Sequence, residues 1–345
     1  MEKNFWKNKS VLVTGHTGFK GSWLVLLLSK LGAKISGVSN SVPTVPSMFE
    51  EVRVGKHLEY DHRIDITSPK LADVFTKSFD VVFHLAAQPM VKESYSAPME
   101  TFRVNTLGTV NLLEGVLRAQ SPPSATVIIT TDKVYASNEE CLGYRESDKL
   151  GGHDPYSASK AAAELVVNSY RDSFFHKLGL GLASARAGNV IGPGDYGKFR
   201  LIPDILRSRR NGKELVIRFP SATRPWQHVL DPLMGYLMLA QMLHVDYYKY
   251  STAFNFGPIA NGKCVAEIVE HFKSTIGGFT EVYKSSSQHE TGTLKLDSSK
   301  SMEYLGWRPH ISEDECFDSI INYETAENKS YYVNSFLDEH LDGKY

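Results

Sequence analysis

Residues 11–21 read VLVTGHTGFKG, a short apolar strand that enters a glycine turn and continues into a helix. Glycine adopts backbone angles that are closed to other residues, so a diphosphate can approach the main chain at such a turn. The first turn of the helix adds N–H donors and a favourable dipole. The spacing is GxxGxxG rather than the generic GxGxxG, but its place between the first strand and the first helix favours a dinucleotide site over a purely structural turn. The expected cofactor contacts are Thr14, Gly15, Thr17, Gly18, Phe19, Lys20 and Gly21.

The rest of the first half alternates apolar strands with amphipathic helices. Strands are expected near residues 34–38, 81–85 and 126–129, and long helices over residues 98–118 and 155–176. Apolar strands separated by helices are typical of a parallel sheet that is covered on both faces. The pattern therefore predicts a doubly wound α/β fold of the Rossmann type, with ligands at the carboxyl ends of the strands.

The composition changes from about Gly192, where proline, glycine and basic residues become frequent. We predict a dinucleotide-binding Rossmann domain over residues 1–190 and a smaller C-terminal, mostly substrate-binding domain over residues 191–345. The division is expected to be discontinuous, because residues of about 226–257 read as one helix and one strand that return to the sheet.

Length and charge place the chain among ordinary globular proteins. It has 345 residues, of which 42% are hydrophobic and 22% charged, enough for a full core. Its 38 Lys and Arg nearly balance 39 Asp and Glu, so no overall field points to nucleic acid or a membrane surface as a partner. Cys141, Cys264 and Cys316 lack metal-ligand spacing, so we expect reduced thiols and no metal site. A polar start and the shortness of every apolar run predict a cytoplasmic protein.

The choice of dinucleotide depends on the residues that follow the second strand. An acidic residue that binds the ribose hydroxyl is expected about 20 residues after the turn, but residues 37–43 read GVSNSVP. No arginine lies there to hold a 2′-phosphate either, so NAD is favoured over NADP. Asp65 and Ile66, after the third strand, are the expected clamp for the adenine, although a lone aspartate is more often a cap or turn residue.

Tyr156 and Lys160 lie four residues apart in a predicted helix, so their side chains share one face. The ammonium of Lys160 is expected to lower the pKa of Tyr156, so that the phenol can remove a proton from an alcohol while a hydride leaves for nicotinamide. A YxxxK pattern also arises by chance. Its position downstream of the dinucleotide turn favours the catalytic interpretation over an exposed pair.

Thr131, Asp132 and Lys133 follow a predicted strand at the edge of the sheet where ligands bind. Thr131 is expected to hydrogen-bond the hydroxyl that is oxidised, and Asp132 to protonate a departing hydroxyl. Lys133 either accepts the acidic proton beside the new carbonyl, which requires a neutral amine, or stabilises an enolate as a fixed ammonium. The acid and the amine together predict that an elimination follows the hydride step.

With these residues the chain resembles the extended short-chain dehydrogenase/reductases, and among them the CDP-glucose 4,6-dehydratases. The related dTDP-glucose dehydratases carry glutamate after the catalytic aspartate, where this chain has Lys133. The strings that carry the resemblance extend over nearly the whole chain: HTGFKGSW at 16–23, HLAAQP at 84–89, RAGNVIG at 186–192, RLIPD at 200–204, RPWQHV at 224–229 and LKLD at 294–297.

The resemblance implies a hydro-lyase whose NAD stays bound and is recycled within one turnover. C4 of the glucose is oxidised, water leaves across C5 and C6, and hydride returns to C6, giving a 4-keto-6-deoxy sugar nucleotide for deoxysugar and polysaccharide (O-antigen) biosynthesis. A homodimer or homotetramer is implied as well. The residue roles that follow are cofactor contacts from Leu85, Ala86, Ala87 and Asn105, and substrate contacts from Gln88, Asn189, Arg200, Leu201, Arg224 and His228. The guanidinium of Arg224 suits a diphosphate, with a surface ion pair as the plain alternative.

Three alternatives compete with this interpretation. A nucleotide-sugar 4-epimerase shares the glycine turn and the Tyr/Lys pair but has no need of Asp132 and Lys133. A dehydratase for a different nucleotide sugar is the second, because residues 137–142 read SNEECL and lack the aromatic residue expected in that loop. A non-catalytic nucleotide-sugar sensor is disfavoured by the intact Thr131, Asp132, Tyr156 and Lys160.

Overall fold

The computed structural model describes residues 2–138, 143–259, 262–284 and 295–343. Cys141, with the rest of residues 139–142, lies outside the described residues, whereas Cys264 and Cys316 are free thiols. Within the described ranges no helix is long and apolar enough to cross a bilayer. In the same ranges no group of three or more His, Cys, Asp or Glu residues could hold a metal ion.

A seven-stranded sheet forms the centre of the molecule, and every neighbouring pair of its strands is parallel. The strands of the whole chain are β1 Ser10–Thr14, β2 Lys34–Val38, β3 Tyr60–His62, β4 Val81–His84, β5 Ala125–Ile129, β6 Gly181–Ala187, β7 Asn189–Ile191, β8 Leu215–Ile217, β9 Thr223–Arg224, β10 Trp226–His228, β11 Ala253–Phe256, β12 Lys263–Cys264 and β13 Glu281–Tyr283. The central sheet has the order β11-β6-β5-β4-β1-β2-β3. Every residue of β4, β5 and β6 is buried, because helices cover both faces. The predicted doubly wound α/β fold is confirmed.

Helices fill the connections between strands, as the alternating pattern predicted. The α-helices are α1 Phe19–Lys30, α2 Met48–Glu51, α3 Leu71–Val74, α4 Val91–Ser96, α5 Pro98–Phe102, α6 Gly108–Arg118, α7 Pro155–Tyr170, α8 His176–Leu178, α9 Leu201–Asn211, α10 Leu230–Val245, α11 Tyr247–Tyr250, α12 Val265–Ile276, α13 Ser299–Leu305, α14 Glu313–Thr325 and α15 Lys329–Gly343. Short 3₁₀ turns cover Lys3–Trp6, Val54–His57 and Asp132–Val134.

Both long helices predicted in the first half contain a π turn. Arg103–Leu107 joins α5 to α6, and Arg171–Phe175 joins α7 to α8. The predicted extents of residues 98–118 and 155–176 are therefore nearly right, but the helical register shifts inside each. A π turn adds a residue to the local hydrogen-bonded ring, and such turns are frequent at functional sites.

The second half of the chain is interleaved with the central sheet. Three small two-stranded sheets pair β7 with β10, β8 with β13 and β9 with β12. Between the strands of these small sheets, the chain returns to the central sheet. There β11 pairs with β6, and α10 packs against β5 and β6. Trp307 donates its indole N–H to the carbonyl of Asp231 at 2.8 Å, and Trp23 donates to that of Pro193 at 2.9 Å. One continuous apolar core runs through both halves.

Candidate active site

A cavity of about 1260 Å³ opens at the carboxyl ends of the central strands. Its wall includes residues that directly follow β1, β2, β4, β5 and β6, as expected for a doubly wound sheet. Among the described residues, the cations on this wall outnumber the carboxylates by nine to three. The cations are Lys20, Lys92, Lys133, Lys160, Lys198, Lys284, Arg200, Arg218 and Arg224, and the carboxylates are Asp65, Asp132 and Asp195. An excess of this kind suits a ligand, or two ligands, with several phosphate charges.

The glycine turn packs directly against the loop that follows β4. Gly15 has a φ of +74°, and a Cβ there would lie 2.6 Å from the backbone nitrogen of Ala86. A Cβ at Gly21 would overlap the carbonyl oxygen of Gly15. No side chain caps the N-terminus of α1, whose first turn faces the cavity. This is the arrangement that receives a diphosphate, so the residues present fit a dinucleotide.

Asp65 and Ile66 both line the cavity at the end that receives residues from β2. Burial acts to raise the pKa of Asp65, but hydrogen bonds from Thr67 and the charge of Arg103 lower it, so the carboxylate is ionised. Ile66 is buried and packs over α6 at Gly108. Ser39, Asn40 and Ser41 occupy the wall where the sequence lacks an acidic residue.

Thr131 lies next to both the proposed base and the proposed acid. The hydroxyl of Thr131 acts on the phenol of Tyr156, and its Oγ1 donates to Oδ1 of Asp132 at 2.8 Å. All three side chains are buried and line the cavity. The 3₁₀ turn that starts after Thr131 places them, since Thr131 caps this turn by accepting from the Lys133 amide at 3.4 Å. Tyr156 enters from α7, which Asp154 caps with a 3.0 Å bond from the Ser157 amide.

The electrostatics of Tyr156 differ from the expectation. Burial raises its pKa to about 12, the hydrogen bond with Thr131 and the charge of Arg200 oppose that rise, and Asp132 adds to it. Lys160 was expected to lower this pKa, and that expectation is wrong for the chain by itself. The Lys160 ammonium donates instead to the carbonyl oxygen of Ile129 at 3.1 Å, and burial lowers its own pKa to about 8 against the opposing charge of Glu164.

A buried ion pair holds α7 against the sheet. Glu164, one turn after Lys160, accepts two bonds from Arg186 on β6, at 2.8 and 3.0 Å. It also accepts from Ser184 at 2.7 Å and from Thr130. Burial would raise the pKa of Glu164, but Arg186 and these hydroxyls lower it. The pair is satisfied on all sides and fixes the position of α7, and with it Lys160, relative to β5 and β6.

Most of the other predicted contact residues line the cavity. Leu85, Ala86, Ala87, Lys133, Asn189, Arg200, Leu201 and Arg224 line the cavity together with Thr17, Gly18, Phe19, Lys20 and Gly21. Arg200 pairs with Asp195 at 2.9 Å, and this pairing raises its pKa.

Thr14, Gln88, Asn105 and His228 are not among the residues that line the cavity, so direct ligand contacts by these four side chains stay predictions. His228 is fully buried between the rings of Trp23 and Phe336. Thr14 bonds Nδ1 of His84 at 2.7 Å and accepts from the Ala86 amide at 3.2 Å. Buried side chains of this kind position the wall from behind.

Asn105 and Gln88 connect the loop after β4 to α7. Asn105, in the first π turn, accepts from the Gln88 amide at 2.8 Å and donates to Ser159 Oγ at 2.9 Å. The Gln88 side chain donates to Thr101 at 2.9 Å. This geometry agrees with a supporting role for Asn105.

Several cavity residues were missed in the sequence. Phe199, Arg218, Trp226 and Lys284 line the wall that the second half of the chain provides. Lys92 on α4 lines the same cavity, 4.2 Å from the ring centre of Phe199. The basic segment before residue 225 was the available signal, but it could not show which side chains turn inward.

The family model described as GDP-mannose 4,6 dehydratase matches residues 12–320. A CDP-glucose 4,6-dehydratase of Salmonella typhimurium is 46% identical over 336 residues, which cover 94% of this chain and 93% of the relative. The solved structure of the epimerase Mth375 of Methanothermobacter thermautotrophicus has a TM-score of 0.80 at 25% identity and covers 97% of each chain. MoeE5 in complex with UDP-glucose and NAD has a TM-score of 0.77 at 25% identity, over 91% of this chain and 98% of that chain.

The match with the family model spans both the dinucleotide side and the substrate side of the cavity. It includes the glycine turn, the Thr131–Lys133 segment, α7 and the arginines of the cavity lining. The chain therefore belongs to the GDP-mannose 4,6 dehydratase family, as its resemblance to nucleotide-sugar 4,6-dehydratases predicted.

Proposed function

We propose that the protein is an NAD-dependent hydro-lyase that converts CDP-glucose to CDP-4-keto-6-deoxyglucose. The observation that carries this function is the meeting of Tyr156, Thr131 and Asp132 in one cation-lined cavity beside the glycine turn. The 46% identity to a CDP-glucose 4,6-dehydratase supports the choice of reaction and base. A role in deoxysugar and polysaccharide biosynthesis and a cytoplasmic location stay predictions.

The dinucleotide end of the cavity is formed by the turn, α1 and the loops after β2 to β4. Gly18 and the first residues of α1 receive the diphosphate, and Asp65 with Ile66 receives the adenosine. Lys160 holds the ribose next to the reacting ring. When bound, NAD accepts a hydride from C4 of the sugar and returns it to C6.

The first step needs a base at the C4 hydroxyl. Tyr156 takes the hydroxyl proton as the C4–H bond gives up its hydride, which leaves a carbonyl at C4. Because the buried phenol has a pKa of about 12, formation of the tyrosinate depends on the neighbouring Thr131 hydroxyl and on the positive charge of Arg200, both of which oppose the rise. Thr131 offers the path by which the proton on Tyr156 reaches Asp132.

The second step is the elimination of water. The C4 carbonyl acidifies the C5–H bond, its proton leaves, and the C6–O bond breaks as Asp132 protonates the departing hydroxyl. Lys133 lines the same cavity and either accepts the C5 proton or stabilises the enolate as an ammonium. Hydride addition at C6 and protonation at C5 complete the 4-keto-6-deoxy product.

The nucleotide-sugar end of the cavity is formed by the second half of the chain. Asn189, Arg200, Leu201 and Arg224 face the ligand there, and the arginines suit its diphosphate. We assign residues 1–190 with about 226–257 to the NAD-binding part and most of 191–345 to the substrate-binding part.

The test is incubation of the purified protein with CDP-glucose in deuterated water. We expect a product that is lighter by one water and carries solvent deuterium at C5. Parallel incubations with dTDP-, GDP- and UDP-glucose determine the base. A product of unchanged mass would exclude the dehydratase and favour a nucleotide-sugar 4-epimerase.

We further propose that the protein is a homodimer, or a homotetramer built from dimers. Large apolar side chains are exposed along the two π-containing helices, namely Met99, Phe102, Leu107, Leu165 and Phe174. Met99 is 84% exposed and Leu165 59%. The two helices pack side by side, so this apolar strip is continuous enough to meet a second copy.

Leu165→Glu is expected to halve the molar mass measured by light scattering, because a charge would be buried at the two-fold contact. Val216→Glu is the matched control, since Val216 is 44% exposed on β8, which pairs with β13 in the second half of the chain. A native protein that is already monomeric, or a Leu165→Glu protein of unchanged mass, would contradict the proposed interface.

A further inference from the structure

Residues 131–134 carry three of the proposed catalytic side chains, and one buried ion pair binds the residue on each side of them. Thr130, directly before the segment, donates its hydroxyl hydrogen bond to Glu164 at 2.5 Å. Tyr135, directly after it, accepts a hydrogen bond from Nη1 of Arg186 at 2.8 Å. Arg186 and Glu164 are joined by two bonds, at 2.8 and 3.0 Å. The ion pair therefore holds both ends of the segment.

The side chain of Tyr135 is held by a ring contact and two hydrogen bonds. It is 4% exposed, and its ring stacks on that of Tyr144 with 4.9 Å between the ring centres. Besides accepting from Arg186, its hydroxyl donates to Oδ1 of Asn255 on the edge strand β11 at 2.7 Å. Burial raises the pKa of Tyr135 although the charge of Arg186 opposes the rise, so the hydroxyl stays protonated near neutral pH. A buried tyrosine with these contacts has one well-defined position.

The guanidinium of Arg186 connects the two elements that carry the proposed chemistry. Arg186 is 2% exposed and Glu164 is fully buried, so the pair acts through the residues that it holds. Through Glu164 it holds α7, which carries Tyr156, the proposed base for oxidation at C4. Through Tyr135 it holds the end of residues 131–134. A planar guanidinium has donors in a fixed fork and can therefore set the distance between two such partners.

We propose that Tyr135 is a positioning residue for the elimination of water, and that Arg186 couples it to the helix of the oxidation step. The hydroxyl of Tyr135 sets the end of the segment, and with it the positions of Asp132 and Lys133 during the elimination. A displacement of about 1 Å in a reacting group lowers a rate on the order of a hundredfold. The inference rests on the proposed dehydratase function and deepens it.

The test removes the hydroxyl in Tyr135→Phe, on the full chain with NAD⁺ and CDP-glucose. Arg186 stays paired with Glu164, and Thr130 still holds the start of the segment, so the oxidation step should keep its geometry. We expect kcat to fall by about one to two orders of magnitude while KM stays within about twofold of the native value. Stopped-flow absorbance should show oxidation at a near-native rate and a larger fraction of reduced nicotinamide in the steady state.

Arg186→Lys tests the connection between the two elements. Lysine keeps the charge that faces Glu164 but lacks the fork that also reaches Tyr135. We expect the same accumulation of reduced nicotinamide as in Tyr135→Phe. The double variant should be no slower than either single variant, because both changes remove the same bond. If Arg186→Lys does not fold, Tyr135→Phe tests the proposal alone.

Tyr323→Phe is the matched control for the loss of a buried hydroxyl. Tyr323 is fully buried and donates at 2.8 Å to Glu51, which is itself paired with Lys329. We expect lower thermal stability with native kinetics in this variant.

Three results would overturn the proposal: native turnover in Tyr135→Phe, equal slowing of oxidation and elimination in that variant, or accumulation of reduced nicotinamide in Tyr323→Phe as well. A native protein that left CDP-glucose unchanged would instead contradict the proposed function, and the inference would fail with it.

Discussion

Tyr156→Phe is expected to lower the rate of dehydration by about two to four orders of magnitude, because it removes the group that takes the C4 proton. The side chain is buried, and phenylalanine fills the same space, so the fold should persist. The loss should appear in kcat rather than in the affinity for CDP-glucose or NAD⁺, since the hydroxyl acts in the transition state. Rapid-quench kinetics with binding measured separately makes this distinction.

Tyr170→Phe is the matched control for that variant. Tyr170 lies on the same helix, and its hydroxyl donates to Glu114 at 2.8 Å on the outer side of the molecule. We expect near-native turnover for Tyr170→Phe. If Tyr156→Phe kept the native rate, or lost only ligand affinity, Tyr156 would not be the base.

Lys133→Ala is expected to separate the two halves of the reaction. Oxidation at C4 needs Tyr156 and should proceed, whereas elimination should slow by about two to three orders of magnitude through loss of a base or of a stabilising charge. Accumulation of reduced nicotinamide, followed by stopped-flow absorbance with CDP-glucose, is the expected sign. Solvent deuterium should enter C5 more slowly than in the native protein.

Lys133→Arg distinguishes the two roles of this residue. Guanidinium keeps the charge but does not become neutral, so it can stabilise an enolate and cannot accept the proton. Recovery of elimination in Lys133→Arg would assign the electrostatic role. Recovery of Lys133→Ala by added primary amines, with no recovery in Lys133→Arg, would assign the base. Lys198→Ala is the control for loss of a cation from the same wall, and normal turnover in Lys133→Ala would remove Lys133 from the mechanism.

The fold and the chemical centre could be predicted because their signals are local. The glycine spacing, the Tyr156–Lys160 interval and the strand before Thr131 each depend on a few neighbouring residues. The fold class, family, reaction and cofactor predictions are confirmed by the sheet and by the relatives. The catalytic and binding roles of single residues stay predictions.

What the sequence could not show depends on tertiary packing. The rise in the pKa of Tyr156 comes from burial, which spacing along a helix does not reveal. His228 belongs to a conspicuous string, yet it packs between Trp23 and Phe336. The π turn at Asn105 adds one residue to a helical turn, and the spacing of hydrophobic residues in the sequence does not reveal it. The charge relation between Lys20 and Arg200 joins residues that are distant along the chain.

The return of the chain to its own sheet has a consequence for biosynthesis. The central sheet lacks its edge strand β11 until that strand has left the ribosome. By then much of the substrate side of the cavity wall has already been synthesised. The last helix then reaches back, with Lys329 bound to Glu51 at 2.6 Å and Asp338 to Lys30 at 2.7 Å. The nucleotide-binding half therefore cannot complete its packing ahead of the remainder during translation. Folding intermediates should therefore precede the native state, and both ligand sites should be completed only after the last helix has packed.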